Sequence, residues 1–177
     1  MAVVHENGLD RLLFWTIAFA SAGFVFILAL AAFFDHSIIV LHFFQALQYL
    51  AIVALAARAN RWGYFIAIAV GAFWDYLATL VNSFVESGWR ALMASIHSGV
   101  LSKPDQIIAV FAFGFHLLLV IAAAVAYFRL ERRYTSDWAR LAASFAGAIG
   151  YFIAIVALFQ PRYLVMVPRI LHPHGLF

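Results

Sequence analysis

The sequence predicts an all-α fold, a polytopic integral membrane helix bundle of five transmembrane helices with a short interfacial helix at about 87–101. Three observations predict it. Of 177 residues, 67% are apolar and 11% charged, whereas a water-soluble domain carries about 45–50% and ~25%. So few charges cannot cover a soluble surface, and disorder needs the opposite composition. The apolar residues also fall into five charge-poor runs, each long enough for a hydrocarbon core of ~30 Å. Finally, those runs leave no stretch for a second core, so residues 1–177 read as a single transmembrane domain.

The spans follow in order. The first covers about 12–34 and is interrupted by Asp35 and His36, which turn the chain. The second, about 37–57, ends at Arg58, Asn60 and Arg61. The third, about 62–84, opens on Trp62, an aromatic suited to the membrane interface. Between spans three and four, Trp89, Leu92, Met93, Ile96 and Val100 recur at helical spacing. That stretch is too short to span, so it reads as the interfacial helix, with this face towards lipid or protein. The fourth span, about 105–128, follows Pro104, which suits a first helical turn, and Ser102, a candidate cap. After a polar link rich in arginine, the fifth covers about 138–160 and stops at Pro161. Pro168 and Pro173 predict a short, irregular, partly interfacial tail. The segment before the first span holds Glu6 and Asp10 and lacks a basic cluster, so no cleavable signal is expected.

Charge placement predicts orientation. Arg11, Arg58, Arg61, Arg129, Arg132, Arg133 and Arg140 fall on one side of a five-span chain, and Arg90, Lys103, Arg162 and Arg169 on the other. By the positive-inside rule the N-terminus is cytoplasmic and the C-terminus extracytoplasmic, with a bacterial inner membrane as the expected location. The net charge of +3 is spread along the chain, so nucleic acid is not an expected partner. With no cysteine, disulfides, thiolate metal sites and cysteine nucleophiles are excluded. No phosphate loop, dinucleotide fingerprint or serine-hydrolase elbow is present.

The informative residues are polar ones inside apolar spans. Asp75 lies roughly 20 Å into the third span, near the middle of the core. A carboxyl there costs at least about 2.5–3.5 kcal/mol unless it is sheltered, paired or protonated. Gly71, Asp75, Thr79, Asn82 and Glu86 share one helical stripe running to the outer interface. In the second span His42, Gln45 and Tyr49 share a face, with Gln48 about a third of a turn away. His116 sits about 15 Å into the fourth span, close to the depth of Asp75. These faces are expected to meet, with Asp75 against His116 and a polar cavity between spans two, three and four. The same residues also suit plain hydrogen-bonded glue between helices.

Histidine invites cofactor readings, and the sequence favours none. His42 and His116 lie at different depths, about 8 Å and about 15 Å, which disfavours a bis-histidine haem. A site of His42, Asp75 and His116 suits zinc or iron by ligand type but lacks supporting spacing. His172 and His174 read as a solvated surface. In the fifth span Ala143 and Gly147, and Ala146 and Gly150, have the small-residue spacing of close helix contact, within the bundle or against another chain. The leading functional expectation is a cavity that binds or conducts a small amphipathic ligand, lipid or proton. Its alternatives are an accessory subunit of a larger membrane assembly and an enzyme built on Asp75 and His116, which lacks an evident nucleophile.

Overall fold

The computed structural model describes residues 8–172, so the proposed reading of His174 and Pro173 lies outside the described residues. The first apolar run becomes α1, Gly8–Phe34, which buries Leu13, Ile17, Ala20, Phe24 and Leu28 at three- and four-residue steps. Asp35 ends it and accepts a 2.9 Å hydrogen bond from the Ser37 amide, capping a 3-10 turn over His36–Ile38. That turn feeds α2, Ile39–Ala56, whose covered face is Leu41, Gln45, Tyr49, Ile52 and Ala56. The Asn60 side chain caps α3, Arg61–Tyr76, by accepting from the Trp62 amide at 2.9 Å.

Beyond α3 the helix widens into a π-helical segment, Leu77–Val81, and stops at Asn82. Ser83 then turns the chain through the left-handed region at φ 53° and starts α4, Phe84–Ser98. Helix α5 spans Pro104–Phe128 and α6 spans Asp137–Phe159. A 3-10 stretch, Pro161–Met166, and a single turn, α7 at Val167–Leu171, complete the described chain. Among the described residues, five helices are long and apolar enough to cross a membrane. The chain is therefore a multi-pass, all-α membrane bundle, with no strand among the described residues.

Helix α3 is the most covered of the five, packing on α2, α5 and α6, while α1 lies along α5 and α2. Glycines permit the tightest of these approaches. A Cβ on Gly63 would fall 2.7 Å from Leu55 Cβ, and one on Gly71 would fall 2.7 Å from Val120 Cγ2 and 3.3 Å from the His116 carbonyl oxygen. Both would crowd α3 off its neighbours.

Polar contacts tie the two ends. At one end Arg129 reaches Asp10 at 2.7 Å, and Asp137, 3% exposed, holds Arg140 at 2.6 Å and Arg61 at 3.8 Å. Asp137 also accepts from the Tyr127 hydroxyl and the Tyr134 amide, both at 3.0 Å. This joins the starts of α3 and α6 to the end of α5. At the other end Arg162 reaches Asp35 at 3.5 Å and Ser37 Oγ at 2.6 Å, and Gln160 donates to the Ser37 carbonyl. The Tyr76 hydroxyl donates to the Ile170 carbonyl at 2.6 Å, so the tail folds back onto α3.

Several expectations are corrected here. The tail is helical rather than irregular, because these contacts give its backbone a surface to wind against. The extra-span helix begins at Phe84 rather than at 87, since the third span ends early in its π segment. Trp89, Ile96 and Val100 are outward, which agrees with the face expected towards lipid or protein, and the opposite face, Gly88, Ala91 and Ser95, packs on α5. Small residues win that face because a Cβ on Gly88 would run into the Gln106 carbonyl. Ser102 does not cap α5; its amide donates to Ser95 Oγ at 3.0 Å, and Lys103 takes the cap position in the left-handed region. Ala143, Ala146, Gly147 and Gly150 all face outward, with nothing within 4 Å of a Cβ placed on either glycine.

Candidate functional site

Three of the residues singled out in the sequence meet at the centre of the bundle. Each comes from a different helix. The Tyr49 hydroxyl of α2 lies 2.7 Å from His116 Nε2 of α5, and Asp75 Oδ1 of α3 lies 3.5 Å from His116 Nδ1. The first is a short hydrogen bond; the second is a close polar contact, long for a hydrogen bond. With the proton on Nδ1, the imidazole accepts from Tyr49 and offers its N–H to Asp75. His116 is 1% exposed. The Phe24 ring packs on it at 3.9 Å between centroids, and the Trp74 ring stacks nearby at 5.9 Å. The expected Asp75–His116 pairing is present, but the closer partner of His116 is Tyr49.

Beside this trio lies a cavity of about 560 Å³, within the size range of small-molecule sites. Its inner wall carries Phe24, Trp74, Gln45 and His116, and its flanks are Leu41, Leu77, Ala78, Ala109, Ala112 and Phe113. Towards the end where the tail folds over, Asn82, Ser87, Asp105, Gln106, Tyr163 and Met166 line it. Helices α1 and α6 contribute alongside α2, α3 and α5, so the cavity is broader than the three-span arrangement expected. A second, shallower groove of about 370 Å³ lies between α1 and α2. Leu28 and His42 line both spaces, and they are joined by a 2.9 Å contact from His42 Nδ1 to the Leu28 carbonyl.

The expected polar stripe does not stay intact. Asp75, Tyr49, Thr79 and Glu86 are not among the residues lining the large cavity. Asp75 and Tyr49 contact His116 without lining the cavity. Thr79 turns its hydroxyl back to the Asp75 carbonyl at 2.6 Å within the π segment. Glu86 belongs to α4 and pairs with Arg90 at 2.6 Å on the exposed surface. The extra residue in the π turn and the left-handed Ser83 rotate everything beyond Val81 out of α-helical register. His42, Gln45 and Asn82 do line the cavity, and Asn82 also directs its amide to Met166 Sδ at 3.5 Å.

Sequence reasoning missed Phe24, Trp74, Tyr163 and Met166 because an apolar wall residue looks like any other lipid-facing one. Asp105 and Gln106 carried a signal, as polar residues in the first turn of a span. Among the described residues, no three of His, Asp and Glu come together as a set that could hold a metal ion. His42 is turned to Leu28, whereas His116 faces Tyr49 and Asp75. Comparison with known proteins finds no matching family model, curated sequence or solved structure.

Proposed function

We propose that this membrane protein binds a small amphipathic molecule in the cavity beside His116. One observation carries the reading: a half-open space of about 560 Å³ between the helices, apolar along its flanks, with His116 and Gln45 on its inner wall and polar residues at its mouth. Apolar body and placed polar groups are the usual composition of a ligand site. In this reading Tyr49, His116 and Asp75 position the wall. Nε2 of His116 is held by the Tyr49 hydroxyl and Nδ1 faces Asp75 at 3.5 Å, which supports a positioning part for the ring.

The test is native mass spectrometry of the gently extracted protein, alongside the cavity-filling variant Ala112→Trp. The wild type should retain a small molecule that the folded variant lacks. Equal retention by both would place the molecule elsewhere, and no retention by either would count against the reading.

A second reading, a subunit of a larger membrane assembly, is favoured by the outward stripe of Ala143, Ala146, Gly147 and Gly150. The same spectra decide it by the presence of a second chain. For orientation, we place the arginine-rich end in the cytoplasm. Cysteines introduced at Ser98 and Ser136 should label from opposite sides of the membrane.

A further inference from the structure

The cavity wall holds a polar group that the protein leaves unserved. Gln45 is 2% exposed and lines the cavity, yet its Oε1 is buried without a hydrogen-bond partner. Its polar neighbours are occupied: His116 by Tyr49, His42 by the Leu28 carbonyl, and Asn82 by Met166. A buried amide oxygen left unpaired is costly, so such a group is ordinarily met by something.

Water held in the small void is a poor candidate. The void on the other side of Gln45 measures about 10 Å³, at the lower limit for one molecule, which also needs several polar partners. That void offers Gln48 among Val70, Phe73, Trp74, Ala148 and Phe152. Of the two spaces that Gln45 borders, the large cavity is the one with room for a ligand, reached by a turn of the carboxamide, whose oxygen is sealed as it stands.

Charge narrows its chemistry. The residues lining the cavity include no lysine or arginine, and the one formally charged side chain among them is Asp105, near the mouth. An anionic group at the inner end would be buried without a counter-ion. A carboxamide turned either way presents an acceptor or a donor, and a hydroxyl complements both. We infer that the cavity selects an uncharged amphiphile carrying a hydroxyl at its inner end, with Gln45 as the specificity-determining residue. This rests on the reading of the cavity as a ligand site and adds the class of ligand.

The experiment compares 1-tetradecanol with 1-fluorotetradecane, close in shape but without a donor, and with tetradecanoate. Each is titrated into the purified protein in nanodiscs, and binding is read as a concentration-dependent rise in melting temperature. The wild type should bind the alcohol about tenfold more tightly than the fluoride, the effect of one hydrogen bond of ordinary net strength, and the carboxylate should bind more weakly than the alcohol. In Gln45→Met, which keeps the side-chain length, the alcohol and fluoride should become equal. Gln45→Leu provides a second variant should the first fail to fold. Equal binding of alcohol and fluoride by the wild type overturns this inference and leaves the cavity reading standing. A preference that survives both Gln45 variants also overturns it. Failure of every probe to bind, together with no retained molecule in the wild type, overturns both.

Discussion

Gly71 of α3 faces the backbone of His116 in α5, so that a single added methyl would lie 3.3 Å from the His116 carbonyl oxygen and 2.7 Å from Val120 Cγ2. Val120 is β-branched and held to one rotamer within α5, and the carbonyl belongs to the same helix, so neither gives way readily. Gly71→Ala should therefore destabilise the bundle by about 1–3 kcal/mol, the usual cost of overpacking. Thermal unfolding in detergent measures it. Gly147→Ala, which meets nothing within 4 Å, is the control and should leave the melting temperature unchanged or slightly raised.

Tyr49→Phe removes the hydroxyl that meets His116 Nε2 and leaves a buried nitrogen without its partner. The expected loss is about 1–2 kcal/mol, above the membrane average of ~0.6 kcal/mol because His116 is sealed from water. Asp75→Asn acts on the opposite nitrogen of the same ring. The two changes should be non-additive by at least about 0.5 kcal/mol in a double-mutant cycle. Strict additivity would mean that His116 does not couple them.

The ion pairs differ sharply in worth. Asp137 is covered and bonded by Arg140, Tyr127 and the Tyr134 amide, so Asp137→Ala should destabilise the protein clearly more than loss of an exposed pair. Glu86 and Arg90 are both exposed, so Glu86→Ala should change stability by less than about 0.5 kcal/mol. Unfolding in a common detergent ranks them directly.

Acid should loosen the tail. Asp35, in the exposed link between α1 and α2, has its carboxyl held below the usual value of 3.8, first by hydrogen bonds from Ser37 and further by the Arg162 guanidinium. The lowered value means that the folded state favours the carboxylate. Its contribution is complete above pH 3.8 and is lost as the pH falls through the depressed folded value. Amide protection over Pro161–Leu171, with the intrinsic exchange rates divided out, should fall in that acidic window. Asp35→Asn should lower it already at neutral pH and remove this acid-linked loss of protection.

The legible part of this molecule was the part governed by water and hydrocarbon. The five spans could be read because charge and apolar runs alternate on the scale of a bilayer, while the third ends at Val81 rather than at about 84. Asp75 and His116 could be matched because ionisable groups at similar depth seek each other. The π turn was hidden: Leu77–Val81 is apolar and threonine-bearing like any span, and only the packed structure shows the extra residue that sends Glu86 to the surface. The inner face of α4 was hidden for the opposite reason. Sequence patterns reward large apolar residues, whereas contact with α5 is made by Gly88, Ala91 and Ser95. The cavity itself is a gap between helices, and a gap has no residues of its own to announce it.

The central trio also has a history in time. Tyr49 leaves the ribosome 67 residues ahead of His116, which at about 5–20 residues per second is roughly 3–13 s. For much of that interval α3 carries Asp75 with no imidazole to face, at a depth where a lone carboxyl is strongly disfavoured. A chain whose synthesis stops between residues 76 and 115 carries the acid without its shelter. Completion of α5 relieves a cost of about 2.5–3.5 kcal/mol on the third span.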